Sequence, residues 1–344
     1  MELDNSTELN NLFADVKQLI DLGKQQVALS VNVGVIATYW NVGKRINTDV
    51  LKNSRAAYGK QVLHSLSAQL TVEYGKGWSE KQLRHCLHFV ESFPDFEIVS
   101  TLWRQLSWSH FKEIIYIKSD LEREFYAQMC RVEMWTVRTL RQKVDSMLFE
   151  RTAFSKKPEE LALMELRALT QDNIYSPDLV FKDHYVLDFL NLKDTYAEKD
   201  LEAAILSEME NFLIELGAGF TFVARQKRMT IDNTDFNLDL LFYHRKLKRL
   251  IAIDLKIGKF KPAYKGQMEL YLRYLEKYEM EPLEELPIGL ILCAEGNHEQ
   301  IKLLQLDAAN IKVAEYITKH IPKELLAQKL HQFTLAARQQ IESR

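Results

Sequence analysis

The chain has 344 residues, 47% of them hydrophobic and 27% charged, an ordinary soluble balance with enough length for two cores. A formal net charge of -3 excludes a globally cationic surface, so any grip on a polyanion must come from local charge. Cys86, Cys130 and Cys293 form no CxxC pair, which excludes a disulfide framework. With no secretory pattern and no apolar run of about 18 residues, the expected location is the cytoplasm, away from membranes.

In chain order, a polar, acidic opening leads into a helix through Leu12, Val16, Leu19 and Ile20. A second helical stretch covers Val27–Val42 and should end near Gly43, with a linker around Asn47, Asn53 and Ser54. Val62, Leu63, Leu66 and Leu70 mark the next helix, which Gly75 and Gly77 terminate. Ser79 caps another, with the stripe Leu83, Leu87 and Val90. With Lys81, Arg84 and His88 on the second helix, this pair reads either as a DNA-contacting helix-turn-helix or as a plain helical hairpin. After Pro94, helices are expected over Phe111–Ile117 (capped by Ser107 or Ser109), from Asp120 towards Met129, and from Trp135 or Thr136 with Arg138, Arg141 and Lys143 outward. Residues 30–150 carry 16 Lys/Arg and 13 Asp/Glu, so a helical domain over 10–155 suits a protein partner or a second copy as readily as nucleic acid.

Residues 156–180 read as a linker, with a break at Phe154–Pro158 and a helix in PEELALMELRAL. The pattern then changes to an α/β domain over 181–325. Asp200–Leu216 is one helix with the stripe Leu201, Ile205, Met209, Phe212, Leu213 and Leu216. Phe220–Gln226 is a strand, and Met229–Thr234 a loop or short extension. Strands Asn237–Tyr243 and Leu250–Ile257 flank the basic turn His244–Arg249. GKFKPAY (258–264) is a loop, Gly266–Tyr278 a helix, and Pro287–Cys293 an apolar strand fit for a sheet covered on both faces. A last strand spans Ile311–Tyr316, and residues 326–344 form a helical tail.

Two acids stand where central strands ordinarily carry hydrophobes: Asp239 in LDLLFY and Asp254 in IAIDLK. Strand alternation puts Asp254 and Lys256 on one face, and a hairpin lets Asp239 converge with them. Buried carboxylates need a counter-charge, and oxygen ligands suit Mg²⁺, with Mn²⁺ as a substitute. Around them, residues 225–265 hold 11 Lys/Arg against 4 Asp and no Glu. Arg225, Lys227, Arg228, Lys259, Lys261 and Lys265 are therefore candidate contacts to a nucleic-acid backbone. Gln226 either lines the site or is a strand-end polar residue. Gln267 and Tyr271 share a helix face.

Asp239 followed by Asp254-Leu255-Lys256 resembles the PD-(D/E)xK nuclease superfamily. The longer run GAGFTFVARQKRMTIDNTDFNLDLLFYHRKLKRLIAIDLKIGKFKPAYKGQMELYLRYL resembles the bacterial YhcG-type family of predicted nucleases, whose layout sets a helical domain of unknown role before the nuclease-like one. The resemblance implies a restriction-endonuclease-like α/β core and Mg²⁺-dependent DNA hydrolysis by an endonuclease or a nuclease of branched or foreign DNA. Asp239, Asp254 and the Leu255 carbonyl would hold the metal and Lys256 would position water. It also implies a third acid on the preceding helix, for which Glu202 is chosen over Glu208 and Glu210, and a Gln267/Tyr271 element supporting the lysine. Leu238 replaces the motif's initial proline, and Asp254 stands where many members have Glu. An inactive DNA-binding module and a subunit of a nucleic-acid-processing complex are the alternatives. GxxxxGK[ST], HExxH and GxSxG are absent, which excludes a P-loop nucleotide site, a zincin centre and a nucleophile elbow.

Overall fold

The computed structural model describes residues 2–52, 56–152, 157, 159–172, 174–193, 195–296, 298–319 and four positions between 325 and 330. Asn53 and Ser54, most of the Phe154–Pro158 break and nearly all of the expected 326–344 tail lie outside the described residues. Packing divides the chain into two units, Met1–Val144 and Asp145–Arg344.

The first unit is all helical: α1 (Glu2–Lys52), α2 (Ala56–Tyr74), α3 (Glu80–Ser92), α4 (Phe96–Leu102), α5 (Trp108–Ile114), α6 (Asp120–Glu133) and α7 (Val137–Asp145). The stop expected at Gly43 is absent, and α1 runs through it as one helix. A Cβ at Gly43 would fall 2.0 Å from the Cys86 carbonyl oxygen, so this glycine serves a close crossing of α1 and α3 instead of a terminus. Asn32 donates to the Trp103 and Leu106 carbonyls, and the Trp40 indole N–H donates to the Phe93 carbonyl, which fixes the second half of α1 on this body. Ser79 caps α3 by accepting the Gln82 N–H. Lys81, Arg84 and His88 share the outer face of α3, but Arg84 pairs with Glu80 and His88 with Glu91, which cancels much of the local field. Phe89, Phe93, Trp108 and Phe111 stack as an aromatic core.

The second unit begins with α8 (Leu148–Arg151). The stretch expected as a linker contains α9 (Glu159–Gln171) and α10 (Pro177–Val180), the latter held by an Asp178–Lys312 ion pair of 2.8 Å. Then come β1 (His184–Val186), α11 (Glu198–Ser207), α12 (Met209–Leu216), β2 (Phe220–Ile231), β3 (Thr234–His244), β4 (Arg249–Lys259), α13 (Ala263–Tyr278), β5 (Ile288–Glu295), α14 (His298–Leu303) and β6 (Ile311–Ile317). The strands form one mixed sheet in the order β1-β6-β5-β4-β3-β2. β2, β3 and β4 are antiparallel, and β4, β5, β6 and β1 are parallel.

Alternation along the strands builds two cores. Leu240, Phe242, Ile251, Ile253 and Leu290 meet α11 and α12, while Leu241, Ala252, Ile291 and Cys293 meet α13. One expectation changes, and of the two readings for Met229–Thr234 the extension is the one found. The single helix over 200–216 breaks at Glu208 (φ -108, ψ 32), where the Ala204 carbonyl accepts both the Glu208 N–H and the Ser207 hydroxyl. β2 continues past Gln226 to Ile231, because Asp232 and Asn233, both at positive φ, make a two-residue turn of the kind that matches hairpin twist.

Candidate active site

The site lies where β3 leaves β4. Their ladder runs from His244↔Arg249 to Leu240↔Ile253 and stops. Asp239 is the next residue, and its Oδ2 accepts the Leu255 N–H at 2.7 Å in place of a ladder carbonyl. Ile257, one pleat further, donates its N–H to Oε1 of Glu198 at 3.3 Å. N–H groups two residues apart in a strand point the same way, so Asp239 and Glu198 line the open edge of β4 together. The Leu255 carbonyl points to that side with its own N–H.

Glu202 lies one helical turn after Glu198 on α11. The Gln226 amide joins it to the site, donating to Glu202 Oε2 at 2.8 Å and to Asp239 Oδ1 at 3.1 Å. Gln226 has φ +43, a left-handed backbone uncommon for a non-glycine residue. Glu198, Lys199, Glu202, Arg225, Gln226 and Asp239 line one cleft of about 560 Å³. A second cavity of about 400 Å³ lies apart, beside the buried Arg151–Glu215 pair.

Asp254 is 2% exposed. Its Oδ2 forms an ion pair of 2.9 Å with Lys256 Nζ. Burial, reinforced by the charges of Asp239 and Glu198 and opposed by Lys256, pushes the Asp254 carboxyl up to about 6. Burial alone would lower the Lys256 pKa, but Asp254, Glu198 and Asp239 outweigh it, so the ammonium is held above its ordinary value. Lys256 Nζ also sits 5.4 Å from the Tyr264 ring centroid, a cation–π contact. The Tyr316 hydroxyl donates to the Lys256 carbonyl at 3.2 Å and pins the strand end.

Gln267 donates to the Tyr271 hydroxyl at 2.6 Å, and Tyr271 donates to the Asn237 carbonyl at 3.1 Å. This pair ties α13 to β3 rather than touching Lys256. Of the six expected phosphate contacts, Arg225 lines the cleft and Lys261 is exposed. Lys227 pairs with Glu279, Arg228 with Asp235 and Lys259 with Glu295, while Lys265 donates to the Leu304 carbonyl. Glu208 is bonded by Asn211 and Glu210 is exposed, whereas Glu202 reaches the cleft. Sequence reasoning missed Glu198, Lys199, Tyr264 and Tyr316; the four-residue spacing of Glu198 and Glu202 was a usable signal. Among the described residues, no group of three or more His, Cys, Asp or Glu side chains is gathered closely enough to hold a metal ion.

Family models match both parts of the chain: the YhcG PDDEXK nuclease domain over residues 178–331 and the DUF1016 N-terminal domain over 15–151. The putative nuclease YhcG of Escherichia coli (strain K12) is 33% identical over 336 residues, with 89% of each chain covered. The chain belongs to the YhcG nuclease family. Its mixed sheet is the family's PD-(D/E)xK core, and family membership supports a nuclease-like function in general terms. Among solved structures, similarity extends to a repair endonuclease from Pyrococcus abyssi (20% identity, 36% of this chain and 49% of that one, TM-score 0.26). It also extends to an EndoMS-dsDNA2 complex (14% identity, 38% and 49%, TM-score 0.27). The chain spans about half the length of each.

Proposed function

We propose that this member of the YhcG family hydrolyses phosphodiester bonds in DNA with the help of a divalent cation, Mg²⁺ or Mn²⁺. The observation that carries this reading is the buried Asp254 carboxylate, whose Oδ2 has the Lys256 ammonium at 2.9 Å, on the strand edge where Asp239 accepts the Leu255 N–H. A buried carboxylate oxygen whose one counter-charge is a lysine ammonium keeps acceptor capacity for a hard cation. Asp239, Asp254 and the Leu255 carbonyl would hold it, with Glu202 as a further ligand or as a partner acting through Gln226. When bound, such a cation offsets negative charge on a phosphate and acidifies water.

The chain's own groups supply the rest. Lys256 remains charged between Asp254 and the aromatic face of Tyr264; it holds a water and offsets charge on the phosphate. Arg225 and Lys199 meet the substrate backbone inside the cleft, and Lys261 does so at its rim. Lys227, Arg228, Lys259 and Lys265 contribute only on leaving their present partners. Gln267 and Tyr271 act as positioning residues by fixing Asn237, two residues before Asp239.

The test is cleavage of linear, nicked, single-stranded and branched DNA in EDTA, Mg²⁺ and Mn²⁺, with wild type beside Lys256→Ala and Asp254→Ala. Metal-dependent products absent from both variants are expected; cleavage that survives both substitutions would sink the assignment. A second reading, DNA binding without turnover, is favoured by the lack of a preassembled three-acid group among the described residues. It predicts equal DNA affinity with and without Mg²⁺ and no products in any arm.

A further inference from the structure

Residues 12–31 of α1 are exposed without interruption, although Leu12, Phe13, Val16, Leu19, Ile20, Val27 and Val31 are all large and apolar. Phe13 is 70% exposed, Leu19 69% and Val27 66%. At roughly 100° per residue, these seven fall on one side of the helix together with Gly23, Ser30 and Gly34. The side that packs on the helical body, carrying Asn32, Ile36, Trp40 and Gly43, is roughly opposite. Further along, α1 therefore buries a different face, and the stripe of its first half points away from the body.

We propose that residues 12–34 of α1 are a self-association surface, on which two copies of this chain pair antiparallel about a twofold axis at Gly23. The stripe is bulky at one end and slender at the other. An antiparallel copy sets Leu12 against Gly34, Val16 against Ser30 and Leu19 against Val27, with Gly23 facing itself. Large residues then meet small ones at the two outer levels, Leu19 meets Val27 at the next, and the two Gly23 backbones can approach closely at the centre. A parallel copy would set bulk against bulk and leave a gap beside the glycines. Gly23 and Gly34 have no atom within 4 Å of where a Cβ would stand, so both are open to a partner. The Ser30 hydroxyl is bonded to the Gln26 carbonyl at 2.9 Å and leaves no polar demand on the seam. Lys17 and Lys24 flank the stripe, where their stems can cover it while the ammonium groups stay in water.

The size of the surface also fits a second copy. At their exposures the seven side chains present on the order of 800 Å², about one partner's share of a standard stable interface. The pairing is isologous, as closed dimers require.

The test is sedimentation velocity of the full chain from about 1 to 100 µM, a range that brackets a micromolar dissociation constant. Wild type is expected as a dimer. Leu19→Glu with Val27→Glu should weaken it at least about a hundredfold, while Gln18→Glu with Gln25→Glu, on the other side of the helix, should leave it intact. Because these positions are exposed, circular dichroism should be unchanged in all variants. Orientation is read by oxidative cross-linking. Gly23→Cys should link to itself, and Leu12→Cys should link to Gly34→Cys but not to itself. The native Cys86, Cys130 and Cys293 are buried and do not compete. A monomer at every concentration, a dimer indifferent to the double glutamate variant, or Leu12→Cys linking to itself would overturn the proposal.

Discussion

Three glutamates compete to be the helix acid, and their surroundings separate them. Glu202 shares the Gln226 amide with Asp239, and Glu198 holds the Ile257 N–H, while Glu208 is engaged by Asn211 and Glu210 faces solvent. Under the proposed chemistry, Glu202→Gln should lower the single-turnover cleavage rate about a hundredfold. Glu208→Gln and Glu210→Gln should each stay within about twofold of wild type; equal losses in all three would mean that the cleft geometry does not select the acid. Asp254 adds a pH signature. Its folded pKa, near 6, exceeds the ordinary 3.8, so the folded chain holds that proton more tightly than the unfolded chain. The resulting stability is present below about 3.8 and is lost as pH rises through about 6. In EDTA, wild type should lose about 1 kcal/mol relative to Asp254→Asn between pH 5 and pH 7, measured by urea denaturation at both pH values. A parallel pH dependence in the two proteins would show that burial does not perturb this carboxyl.

Among the elements, the glycines give opposed expectations. A Cβ at Gly43 would strike the Cys86 carbonyl and Val90, so Gly43→Ala forces α1 and α3 apart and should cost about 1–3 kcal/mol in denaturant unfolding. Gly266 lies in α13 with open space around it, and Gly266→Ala should stabilise by up to about 1 kcal/mol through helix propensity. Gly43 also shows where sequence reasoning runs out. A glycine after a helical pattern reads as a stop, and only the position of α3 reveals that it is a crossing point. The break at Glu208 is hidden for a related reason, since it depends on local bonding that periodicity does not encode, whereas the extension of β2 to Ile231 is one of the two readings that Met229–Thr234 allows. Asp239, Asp254 and Lys256 were legible because an acid inside an otherwise apolar strand breaks a simple rule. The Gln226 link was not, because it joins residues on β2, β3 and α11 that only the folded sheet brings together. Glu198 was hidden behind Glu202 on the same helix face.

At the scale of the whole chain, two units with separate cores should unfold separately. Ile46, Leu63 and Leu83 pack in the helical unit, whereas the apolar residues on both faces of the sheet belong to the other. A ligand that binds only one folded unit raises the transition of that unit alone. If Asp239 and Asp254 hold a divalent cation, Mg²⁺ at about a hundredfold excess over its dissociation constant should raise one calorimetric transition by roughly 5 °C or more and leave the other in place. Gly43→Ala should lower the transition that Mg²⁺ does not move, because its clash lies inside the helical unit. Asp254→Asn should abolish the Mg²⁺ response without shifting the helical transition. A single peak moved as a whole by both Mg²⁺ and Gly43→Ala would mean that the units fold as one cooperative body. Two peaks with no Mg²⁺ response would leave the partition standing and count against the cation site, so the two ideas fail by different results.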